Sequence, residues 1–60
     1  MKRTDFARKM TAAGWSVVRQ GSSHEIWGKK GFTFAVPRHR EVKPGIVRAW
    51  ESLNKRIDNG

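Results

Sequence analysis

The hydrophobic positions of this chain change period twice, and each change marks a new element. Phe6, Met10 and Ala13 recur at i, i+4 and i+7, with Ala7 at their margin and Arg8 and Thr11 pointing away. That spacing lays one apolar face along a helix of about residues 4–13. Thr4 stands where a hydroxyl can cap the free amides, and Asp5 where the helix dipole favours an anion. Gly14 follows, where a left-handed residue closes a helix. From Trp15 to Gln20 the period becomes two: Trp15, Val17 and Arg19 alternate with Ser16, Val18 and Gln20, and the adjacent valines favour a strand. Gly21-Ser22-Ser23 has turn composition. A second strand runs from His24 to Gly28, with His24 and Ile26 on one face and Glu25 and Trp27 on the other. Lys29-Lys30-Gly31 is a short turn. In the third strand, residues 32–36, Phe32, Phe34 and Val36 share a face opposite Thr33 and Ala35, and Pro37 ends it.

After a basic connection over residues 38–43 the helical period returns. Pro44 suits a first turn, where its missing N–H is no loss. Ile46, Trp50, Leu53 and Ile57 then form a stripe of about three turns, widened by Val47 and Ala49, which Asn59-Gly60 stops. The predicted fold is α+β, in the order α-β-β-β-α. A three-stranded antiparallel meander carries both helices on one face, in a single domain of residues 1–60. Strand parity allows two assignments of the middle strand. One covers Trp27 and Glu25 and leaves His24 and Ile26 open; the reverse buries His24 and exposes Trp27. Burying Glu25 is costly unless it reaches solvent near the strand end. Periodicity does not choose between them, and the expectation adopted here puts His24 on the open face.

Composition narrows the function. Thirteen Lys and Arg against five Asp and Glu give a formal net charge of +8 and a pI near 11.3. That excess points to phosphates or an acidic protein surface. The cations are spread along the chain, which disfavours a disordered basic tail. There is no cysteine, and two histidines with five scattered carboxylates give no zinc-ligand pattern. Neither a metal nor another cofactor is expected. No apolar run approaches the ~18–20 residues of a membrane span. Asp5, Arg8 and Lys9 also interrupt any secretory signal, so a cytoplasmic protein is expected. A 60-residue chain without staples retains a net stability of only ~3–5 kcal/mol.

Five short motifs then fall in order: Gly14-Trp15, Arg19-Gln20, Ser23-His24, Pro37-Arg38-His39 and Lys43-Pro44-Gly45. Together they resemble the HicA family, also called YcfA-like, the small mRNA interferase toxins of bacterial type II toxin–antitoxin systems. The resemblance covers nearly the whole chain. It implies a fold like that of double-stranded-RNA-binding domains, endoribonuclease activity on mRNA, and a HicB-like antitoxin as partner. The family's catalytic histidine lies in a Gly-Ser-His motif and falls on His24. This chain departs from that motif: Ser22 stands in place of the glycine, and Gly21 comes one residue earlier.

RNA carries its own nucleophile in the 2′-hydroxyl, so its cleavage needs no metal. It needs a base, an acid and positive charge for the phosphorane-like transition state. An unperturbed imidazole, with a pKa of ~6.5, suits either proton transfer, which typically contributes ~10²–10⁴-fold. Arg19, Lys29, Lys30 and Arg38 are the nearest cations in sequence and are expected to contact RNA, with Ser23 and His39. A histidine opening a strand is, without the resemblance, more often a surface or capping residue, and His39 reads equally well as a loop histidine. Ser23 is no nucleophile, since no acidic residue completes a triad. The competing function is a non-catalytic double-stranded-RNA-binding module. That class relies on lysines at the start of its last helix, whereas this helix begins Lys43-Pro44-Gly45-Ile46-Val47. A helix-turn-helix is excluded, because three strands separate the helices.

Overall fold

The computed structural model describes residues 1–59, in five elements in the expected order. They are α1 (Arg3–Ala12), β1 (Ser16–Gln20), β2 (His24–Lys29), β3 (Phe32–Pro37) and α2 (Pro44–Asn59). The three strands form one antiparallel sheet in the order β1-β2-β3. Gly14, at φ 91°, closes α1 as its position predicts. The β2–β3 turn is tighter than expected, because Lys29 pairs with Phe32 and only Lys30 and Gly31 remain between the strands. Both take positive φ, 51° and 81°, the two-residue turn whose twist matches antiparallel strands.

One core holds both helices to one sheet face. Phe6 and Met10 from α1, Trp27 and Val36 from the sheet, and Val47, Trp50 and Ile57 from α2 are buried together with Trp15 and Val42. Trp50 is its centre: Phe6 and Trp15 meet its ring edge-on, with centroids 5.5 and 6.1 Å away. Trp15 Nε1 donates to Asn54 Oδ1 at 2.9 Å, whereas the buried Trp50 Nε1 has no partner among the described residues. The packing of that ring must outweigh a desolvation cost of ~1–3 kcal/mol.

Register settles the choice that parity left open. Trp27 lies opposite Phe34 and Glu25 opposite Val36, so all four share the covered face. His24 lies opposite Pro37 and Ile26 opposite Ala35 on the open face. Glu25 is half-buried near its strand end, and Glu25 Oε1 accepts from Trp27 Nε1 at 3.3 Å. The carboxylate therefore keeps both water and a donor.

Four local expectations are corrected. Thr4 is not the cap of α1: the helix starts at Arg3, and Lys2 is its extended cap residue, without a side-chain cap bond. The cause is a pairing with the connection before α2. The Val42 amide donates to the Met1 carbonyl at 2.7 Å and the Arg3 amide to the Arg40 carbonyl at 2.9 Å, around a Lys2–Glu41 bridge. This pairing draws Lys2 straight, and Val42 enters the core. Ala49 faces solvent, because α2 turns it away from the stripe. Phe32 is 49% exposed, since its place at the sheet end lies beyond full helix cover. Finally, β1 does not alternate strictly. Val17 pairs with Trp27 and Arg19 with Ile26, leaving an extra residue, Val18, in a bulge.

Both helices begin at the His24 end of the sheet. Arg3 is bonded to Arg40, just beyond β3, and Val42, two residues before α2, is bonded to Met1. At the other end the Lys29 ammonium donates to the Ala13 carbonyl and, at 3.0 Å, to Asp58 Oδ1. The positive ends of two helix dipoles thus lie at the end that carries the histidine.

Candidate active site around His24

The turn that delivers His24 is closed from two sides. The Gly21 amide donates to the His24 carbonyl at 2.8 Å, below the Gln20–Glu25 pair. Across it lies Arg38, whose amide donates to the Ser23 carbonyl at 3.1 Å and whose Nη1 donates to the Gly21 carbonyl at 2.9 Å. Ser22 and Ser23 do not take positive φ, a conformation that Lys30 alone adopts among the non-glycine residues described. The turn therefore has no need of glycine at Ser22. His24 is exposed, and its imidazole makes no hydrogen bond among the described residues.

The bulge in β1 decides what stands beside it. Strict alternation would put Arg19 with Trp15 and Val17 on the covered face. The extra residue brings Arg19 opposite Ile26, two residues from His24 on the same open face. Diagonal positions of this kind are about 7–8 Å apart, within reach of an arginine. Gly28 accommodates the bulge: a Cβ there would stand 3.1 Å from Val18 Cγ1. A glycine in the middle strand therefore helps to aim a cation from the edge strand.

The other candidates separate into two groups. Ser23, Arg38 and His39 lie at the His24 end, the last two directly after Pro37, which pairs with His24. His39 and Arg38 are exposed. Lys29 and Lys30 lie at the opposite end of the sheet, five and six residues along from His24. Lys29 is tied to Ala13 and Asp58 with its side chain 14% exposed; Lys30 is exposed in the turn. No group of three His, Cys, Asp or Glu side chains among the described residues is arranged to hold a metal ion.

Lys2, Arg3 and Arg40, which their sequence positions do not single out, join Arg38 at the His24 end. Only the pairing of residues 1–3 with residues 40–42 assembles them, and short isolated bridges leave no periodic signal.

A family model described as "HicA toxin of bacterial toxin-antitoxin" matches residues 3–52. The chain belongs to the HicA toxin family. No curated protein and no solved structure matches it significantly. The HicA match takes in all the candidate residues, from Arg19 to His39, and leaves residues 1–2 and 53–60 outside it.

Proposed function

We propose that this HicA family member is an endoribonuclease that cleaves mRNA without a metal, through proton transfer by His24. The observation that carries this reading is the position of His24. Its imidazole stands exposed on the open face, unbonded, at the mouth of a turn braced by Arg38, with Arg19 aimed to the same face. In the reaction the 2′-hydroxyl loses its proton and its oxygen bonds to phosphorus. The bond from phosphorus to the 5′-oxygen breaks, and that oxygen takes a proton. His24 moves one of these protons, and Arg19 and Arg38 offset the charge of the pentacoordinate phosphorus. Ser23 and His39 contact the strand beside the scissile bond. Lys30 meets it farther along the sheet, and Lys29 contributes its field rather than a free ammonium. A HicB-like antitoxin neutralises the enzyme by covering the open face, where Ile26 supplies apolar area among cations. The enzyme works in the cytoplasm.

The test is growth of bacteria expressing wild type or His24→Ala, with cleavage of purified RNA in EDTA. Wild type should arrest growth and cleave RNA with chelator present, and His24→Ala should lose roughly 10²–10⁴-fold in rate. Equal behaviour of the two proteins, or loss of wild-type cleavage in EDTA, would refute the mechanism. Binding without cleavage by both would leave an RNA-binding module instead.

A further inference from the structure

A second cationic feature lies next to His24, outside the residues assigned above except for Arg38. Lys2, Arg3, Arg38 and Arg40, with Thr4, line a groove of about 430 Å³ between the start of α1 and the connection after β3. Among the described residues none of these four cations is in an ion pair, and no acidic residue lines the groove. The two carboxylates nearest in sequence are engaged elsewhere, Glu41 with the terminal ammonium and Asp5 with Arg8, each at 3.6 Å. Bringing four like charges together without a counterion opposes folding, unless an anion from outside completes the site. The pairing of Arg3 with Arg40 holds the two walls in place. The first helical bond of α1 runs from the Phe6 amide to the Lys2 carbonyl, so the Thr4 and Asp5 amides have no acceptor within the helix and add donors at this end. Arg38 joins the groove to the active site, because the same guanidinium bonds the turn that carries His24.

We infer that this groove is a phosphate subsite, which holds the RNA backbone next to the bond that His24 attacks. The inference rests on the ribonuclease reading and adds a location to it: the strand leaves the open face at Pro37 and turns over the N-terminus of α1. Lys2, Arg3 and Arg40 bind strand and transition state alike, so they act on KM rather than on kcat.

The experiment uses the whole chain and a short single-stranded RNA with 2′-O-methyl riboses, which it can bind but not cleave. Binding is measured across a salt series for wild type, Arg40→Gln, and the double variant Arg3→Gln/Arg40→Gln. A second double variant, Lys55→Gln/Arg56→Gln, removes the same charge from the far end of α2. Each single-strand phosphate contact contributes ~0.7 to the slope of log K against log salt, so losing two lowers it by ~1.4 and weakens binding roughly twenty-fold near 0.1 M salt. Arg40→Gln alone should lose roughly five-fold. The far-end variant should stay near wild type, and on cleavable RNA the groove variants should raise KM at constant kcat. Equal losses from both double variants, or none from either, would overturn the subsite while leaving the His24 reaction standing. A wild type that neither binds nor cleaves RNA would overturn both.

Discussion

Arg38 does two things at once at the level of single side chains. Its amide and its guanidinium both hold the turn before His24, at 3.1 and 2.9 Å, while the residue stays exposed to solvent. An exposed hydrogen bond of this kind adds little stability, about 0.5 kcal/mol. Misplacing a catalytic group by an ångström costs far more in rate. Arg38→Lys keeps the charge but has no planar fork with which to bond the Gly21 carbonyl and face the substrate together. We therefore expect kcat to fall roughly ten-fold or more with the melting temperature nearly unchanged. Full activity of Arg38→Lys in single-turnover cleavage would show that charge alone suffices. The facing of His24 was half legible in the sequence: parity sets His24 and Trp27 on opposite faces, but only the packing of Trp27 with Phe34 and Val36 decides which face is covered. The facing of Arg19 was not legible. A bulge is one extra residue in an otherwise regular pairing, and an alternating apolar pattern carries no mark of where it falls.

The elements show a similar split between what is local and what is not. The order α-β-β-β-α follows from period changes that each segment carries by itself, such as Phe6 to Met10 against Phe32 to Val36. The bridge of Lys2 to Glu41 and the burial of Val42 depend on residues about forty positions apart, and neither strip is long enough to show a period. Lys29 illustrates how such contacts reassign a charge. In sequence it is half of a Lys-Lys pair in a turn, which suggests a phosphate contact. In the fold its side chain lies under the end of α1, bonded to the Ala13 carbonyl and to Asp58 of α2. It closes the last turn of one helix and ties it to the other. Lys29→Met should therefore cost about 1–2 kcal/mol, a fall of roughly 5–15 °C in melting temperature. Affinity for the uncleavable RNA should change less than it does in Lys30→Met. A variant that melts like wild type but binds RNA more weakly would return Lys29 to the nucleic-acid surface.

At the scale of the whole molecule, charge and core pull against each other. The chain has a net charge of +8 over 60 residues, and four of its cations, Lys2, Arg3, Arg38 and Arg40, gather at the end where both helices begin. Self-repulsion there weakens the folded state, and no disulfide offsets it. What remains is a small core centred on Trp50, with Phe6 fully buried edge-on against it. Truncating a buried phenylalanine costs ~3–5 kcal/mol, which is about all the stability that a domain of this size retains. Phe6→Ala should then be largely unfolded at 25 °C, without a cooperative melt by circular dichroism. Phe32→Ala removes the same atoms from a ring already 49% exposed and should cost roughly 1 kcal/mol, because about half of that surface never left water. The comparison isolates burial from composition. If Phe6→Ala kept a cooperative melt close to that of wild type, the Trp50 cluster would not be what holds the sheet beneath the helices. The rigid platform on which His24 and the cationic groove both depend would then need another source.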